Sequence, residues 1–184
     1  MDDQRRKLLD DHGVLILPEE IKHECYTLIV EAMLLRPHSP ILLHCHGEGG
    51  DSCVTGAMVD TIRHHGQIIG VLAGEANSSH GVIFAACAQR YVYPGAMIGV
   101  HRVAQESLHH VTADYALDRG RENERHDQRN ARILAEACTD QERHGYKFWY
   151  RKIAANTRAL GFIPAIDLIS YGFAKPIQEY GGFA

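Results

Sequence analysis

No uninterrupted apolar run in this chain approaches the roughly 18 residues needed to cross a bilayer, and the first residues, Met1 to Lys7, carry charge rather than a signal-like apolar stretch. Those absences predict a protein without membrane association, placed in the cytoplasm. There is no excess of basic charge either: 19 Lys and Arg against 23 Asp and Glu leave a net charge of −4, with both signs interspersed. Nothing in that distribution favours a nucleic-acid partner. The five cysteines (Cys25, Cys45, Cys53, Cys87 and Cys138) are odd in number and scattered, which suits reduced thiols and argues against a disulfide framework. Phosphate-cradling loops, dinucleotide fingerprints, internal repeats, low-complexity segments and linkers are also missing, so no cofactor is expected. What remains is 184 residues with an apolar fraction of 45%, enough for one domain, residues 1–184, around a real core.

Along the chain, apolar runs alternate with helix-like periodicity. Val14 to Leu17 reads as a strand closed by Pro18, and Glu19-Glu20 as the first turn of a helix that buries Ile21, Cys25, Leu28, Ile29 and Ala32. Ile41 to His46 is a second strand, ending at Gly47-Glu48-Gly49-Gly50. Asp51-Ser52 can cap the next helix and Gly66 can end it. Ile68 to Leu72 is a buried strand, and strands around Tyr91 to Tyr93 and Met97 to Val100 follow. This alternation predicts an α/β fold of βαβ units with a largely parallel sheet. From about Ser107 to Arg132 the chain is too polar to lie on a sheet. It reads as a projecting helix or helical hairpin whose charges face solvent or another subunit. A helix over residues 141–156 and a short one over 164–171, begun by Pro164 and ended by Gly172, complete the chain.

Gly74-Glu75-Ala76-Asn77-Ser78-Ser79-His80-Gly81 organises the rest. Small residues between an apolar strand and an apolar helix form a sharp turn, in which Asn77, Ser78 and Ser79 can cap the helix. The same position holds a serine at a sheet edge beside the free N–H groups of a first helical turn, the setting of a nucleophile. Gly49-Gly50 offers bare backbone donors at a neighbouring strand end, and His101 follows another strand. Nucleophile, base and oxyanion donors are thus available in one set. His44 and His46 share a strand face with Cys45 opposite, which does not assemble the three or four converging ligands of a zinc site, and no metal is assigned.

These segments resemble the ClpP family, the serine-peptidase subunits of Clp proteases. The family's Gly-Gly turn before a helix bearing Asp-Thr appears as Gly49-Gly50 to Asp60-Thr61, and its Gly-x-Ala-x-Ser element as Gly74 to Ser78. Its Pro seven residues before a catalytic His appears as Pro94 and His101. The acid-Thr pair and the later Tyr-Gly appear as Asn156-Thr157 and Tyr171-Gly172. The likeness runs from about Leu8 to Ile177.

It implies a ClpP/crotonase-like spiral of βαβ units with a projecting helical handle over about 107–140. It implies Ser78 as nucleophile, His101 as general base and Asn156 as third triad member, with backbone N–H groups of Gly50 and Ser79 as the oxyanion hole. It further implies hydrolysis of unfolded proteins or peptides inside stacked heptameric rings, a tetradecamer, with an AAA+ unfoldase as partner. The chain departs from the family in three places: Asn156 stands where the family has Asp, no proline precedes Gly49-Gly50, and Ser79-His80-Gly81 replaces a more apolar continuation. The segment ahead of the first strand, which the family uses with its ATPase, is reduced to a few residues. Helix direction should carry His80 away from the site. Two rival readings follow: a catalytically weak or inactive structural subunit of a hetero-oligomer, suggested by Asn156, and a crotonase-type acyl-CoA enzyme using the same glycine donors.

Overall fold

The computed structural model describes residues 1–103, 112–157 and 159–183. Helix α1 (Asp3–His12) is capped by the Asp2 carboxylate and ended by Gly13 in the left-handed region. Strand β1 (Val14–Ile16), the two-residue β2 (Glu20–Ile21) and α2 (His23–Leu35) follow. Then come β3 (Ile41–Gly47), β4 (Gly49–Gly50), α3 (Ser52–His65), β5 (Ile68–Asn77), α4 (Ser79–Ala86), β6 (Gln89–Val92) and β7 (Met97–Val100). A 24-residue helix, α5 (Ala113–Glu136), leads to α6 (Gln141–His144), α7 (Tyr146–Ala154), β8 (Gly161–Pro164), α8 (Ala165–Ser170) and β9 (Lys175–Pro176).

The main sheet runs β1-β3-β5-β6-β9 in parallel. Its central strand branches: the first half of β5 pairs with β6 and the second half with β7, to which β8 adds antiparallel. Alternation along each strand sorts the side chains. Ile41, Leu43, Cys45, Ile68 and Leu72 enter the large core beneath the helices, whereas Leu42 and Val71 face a smaller cluster closed by Ile177 and Tyr91. The sheet is therefore thickly covered on one face and thinly on the other. Among the described residues no helix is long and apolar enough to cross a membrane.

Several expectations hold in detail. Asp51 caps α3 by accepting from the Cys53 and Val54 N–H groups, and Gly66 ends it at φ 73°. Cys25, Leu28, Ile29 and Ala32 are the buried face of α2, and all five cysteines are free thiols. Three expectations need correction. Glu19-Glu20 does not begin α2; Glu20 and Ile21 instead form β2, which pairs in parallel with Gly49 and Gly50. The helix expected over 141–156 is broken at Gly145 into α6 and α7. The charged run on α5 is not wholly solvated, since Asp127 is buried, accepting from the Val103 N–H and Arg102 Nε. Residues 107–111 of the expected handle lie outside the described residues.

One half-buried cation ties the C-terminal half together. Arg90 on β6 donates to the carbonyls of Phe173, Ala85, Cys87 and Ala137, serving the end of α4, the residue after α5 and the segment before β9. Only a planar guanidinium presents several donors in one fixed fork. Arg90→Met should cost about 3 kcal/mol or more in urea unfolding, because buried carbonyls lose their donors. Arg90→Lys should recover less than half of that loss.

Candidate active site

Ser78 closes β5 and precedes α4, but it does not cap that helix. Its φ is 53° and ψ −116°, and its side chain accepts no helix N–H. Among the described residues it is the one non-glycine residue with positive φ. An L residue pays a steric penalty there, so the surrounding structure must impose the geometry. The β5–β7 ladder does so directly: Asn77 pairs with Gly99, and the Ser78 N–H donates to the Gly99 carbonyl at 2.7 Å.

A glycine makes the other side of the turn possible. A Cβ on Gly49 would lie 2.7 Å from Ser78 Cβ and 3.2 Å from the Ser79 nitrogen, and Gly49 itself sits at φ 109°. Bare backbone can therefore lie against the serine where no side chain fits. Gly50, at φ 148°, is pressed just as closely on Ile21 of β2. The buried Ser79 hydroxyl donates to the Gly50 carbonyl at 3.1 Å, so the start of α4 and β4 are joined across the turn. Ser78, Ser79, Gly49 and Gly50 thus lie together at this turn.

His101 and Asn156 reach the same rim through the backbone. His101 follows β7, two residues beyond the carbonyl that holds Ser78. The N–H of its neighbour Arg102 donates to the Asn156 carbonyl at 2.9 Å. The side chains, however, are not joined: among the described residues no hydrogen bond links Ser78 Oγ, the His101 ring and the Asn156 amide. Asn156 instead turns its amide nitrogen back to the Lys152 carbonyl at 2.7 Å, packed against Gly161, which leaves its oxygen as the atom still able to accept.

His80 is the group the sequence undervalued. It is fully buried, with Nε2 3.1 Å from the Glu19 carbonyl, which also accepts the Glu48 N–H. A neutral imidazole with its proton on Nε2 thus fastens the strand that flanks Gly49-Gly50. Burial pushes its pKa down to about 4, outweighing the hydrogen bonds to Glu19 and Pro18. The signal in sequence was the residue itself, a histidine inside an otherwise apolar helix.

The comparison with family models places this geometry. Residues 1–180 match the Clp protease model. The chain belongs to the Clp protease family. Its mixed α/β architecture with a mostly parallel sheet is the one that membership in the Clp protease family implies, and the membership supports a ClpP-like protease. No curated protein shows a significant match.

His80 generates a pH prediction. Its folded pKa lies below the ordinary 6.5, so the unfolded chain binds the extra proton. Its contribution is complete above about pH 6.5 and is lost as the pH falls toward about 4, a swing on the order of 3 kcal/mol. Urea unfolding between pH 7 and 5 should show a steeper loss for the native chain than for His80→Leu.

Proposed function

We propose that the chain is a serine endopeptidase subunit that cleaves unfolded proteins or peptides, with Ser78 as nucleophile, His101 as general base and Asn156 as orienting partner. The observation that carries this reading is the backbone of Ser78. A serine held at positive φ on a strand-to-helix turn, releasing its hydroxyl from capping, is the arrangement of an exposed nucleophile.

In this mechanism Ser78 Oγ attacks the peptide carbonyl carbon while His101 takes its proton. The oxygen that becomes negative is held by the backbone N–H groups of Gly50 and Ser79, a contribution of roughly 3 kcal/mol per donor. His101 then returns the proton to the leaving amine, and water releases the acyl group from Ser78 by the same steps. Asn156 can accept the His101 Nδ1–H and fix the tautomer, but an amide cannot stabilise the imidazolium as a carboxylate does. Hydrolysis is therefore slow rather than absent. The open Ser78–His101 pair closes by rotation of the ring when substrate fills the rim.

The proposal extends to assembly. Exposed apolar side chains on several faces, Leu34 and Ile166 at 75% exposure among them, support burial against other subunits. Stacked heptameric rings joined through the handle region, cytoplasmic location and an AAA+ unfoldase partner belong to the same reading. The structural-subunit alternative draws on the unjoined triad and on Asn156.

A fluorophosphonate probe should label Ser78 in the assembled protein, and Ser78→Ala and His101→Ala should abolish labelling. Failure to label the native assembly would decide for the structural subunit. Asn156→Asp should raise kcat/KM on a small peptide ester at least about tenfold, given the roughly four orders of magnitude that an acid-to-amide change costs such triads. If the variant is no faster, Asn156 is not the third member.

A further inference from the structure

Away from the rim, three side chains of metal-binding type converge where α5 crosses the start of α3. Cys53 lies in the first turn of α3. Glu122 and His126 lie one turn apart on the same face of α5. One ligand atom from each, a thiol, a carboxylate oxygen and an imidazole nitrogen, lies within 4.8 Å of the others, and Cys53 Sγ is 3.9 Å from His126 Nε2. We propose that Cys53, Glu122 and His126 form a binding site for a zinc-type divalent ion that fastens α5 to α3.

The donor set selects the class of ion. A thiolate with an imidazole suits zinc and its d-block neighbours, not magnesium or calcium, which take oxygen ligands. Tetrahedral zinc with bonds of about 2.3 Å to sulfur and 2.0 Å to nitrogen would hold those two atoms about 3.5 Å apart, so the present spacing needs only small side-chain adjustment. Three protein ligands leave one position for water.

The surroundings fit a cation. The Asp51 carboxylate that caps α3 accepts from the Cys53 N–H, so negative charge already lies beside the thiol. A neutral imidazole is the form that ligates. With a thiolate and the Glu122 carboxylate the charge of a divalent ion is balanced within the site. The competing partner of Glu122 is Arg119, in a half-exposed ion pair of the kind that contributes little. The frame is set independently of the ligands: Arg129 donates to the Ser52 carbonyl at 2.6 Å, and Gly56 leaves the room its guanidinium occupies. The backbone of α5 is thereby docked beside Cys53.

This pairing could not be read from spacing, since Cys53 is separated from Glu122 and His126 by about seventy residues. The histidines that drew attention in the sequence, His44 and His46, do not take part.

Titration of the reduced full-length protein with Co2+ tests the site. One ion per chain should bind, with a thiolate-to-cobalt charge-transfer band in the near ultraviolet and tetrahedral visible bands. Zn2+ should displace it and raise the Tm. Cys53→Ser should remove the charge-transfer band and the Tm rise. His126→Ala and Glu122→Gln, both changes at half-buried positions of a long helix, should each weaken binding more than about tenfold, the low end of what even outer-shell changes cost. His64→Ala with His65→Ala should change neither. A charge-transfer band that survives Cys53→Ser, binding lost in the His64/His65 variant, or equal affinity in native and Cys53→Ser protein would overturn the site. Each of these readouts is independent of peptidase activity.

Discussion

The backbone of Ser78 is held in a region that L residues avoid, and much of the molecule is arranged to keep it there. Three restraints act on one residue: the β5–β7 ladder up to Asn77, the Ser78 N–H bonded to Gly99, and the first turn of α4 returning an N–H from Val82 to the Ser78 carbonyl. Strain of this kind costs on the order of 1–3 kcal/mol and persists only where neighbours over-determine it. A capping serine needs none of it, because a cap sits comfortably in extended backbone, as Asp51 and Thr112 do here. The conformation therefore separates two roles that composition alone leaves together.

The same restraint explains the small two-stranded sheet beside the main one. Gly49 must come within contact of Ser78, and a two-residue strand cannot hold itself there. β2 provides the partner, Ser79 the hydroxyl bond to Gly50, and His80 the bond to Glu19, the residue just before β2. A histidine in the core looks costly, with its Nδ1 left without a partner. What it supplies is a directed donor at a depth where no water reaches, in a chain that lacks a proline to stiffen the same turn.

How much of this was legible beforehand follows from the range of the interactions. Asp51 and Gly66 were legible as helix ends because a cap is decided within three residues. Ser78, Ser79, Gly50 and His101 could be collected at one rim because each follows an apolar strand run, and the strand ends of a parallel sheet share a side. β2 was hidden: Ile21 fits the period of Cys25, Leu28 and Ile29, and only its pairing with Gly49-Gly50 makes it a strand. The extent of β5 was hidden for a similar reason. Gly74 and the small residues after it read as a turn, yet Glu75 to Asn77 are held in the sheet by β7. Asn156 was locatable by its place before Thr157, but the direction of its amide depends on Lys152 and Gly161, which no pattern announces.

His101 shows how assembly of the site is constrained from the far side. Behind it, β7 fixes the chain through Gly99; ahead of it, Arg102 and Val103 are bound three ways, to the Asn156 carbonyl, to buried Asp127 and to Glu124. Glu124 is further held by the Tyr150 hydroxyl, so α5, α7 and the residues beside His101 form one connected unit. A backbone tied at so many points does not translate by itself. In the proposed mechanism the imidazole would reach Ser78 by side-chain rotation, since displacing α5 with its carboxylates would break the half-buried ion pair between Arg102 and Asp127. Rotation leaves every one of these backbone restraints in place, which is why the proposed mechanism assigns the closing step to the ring rather than to α5.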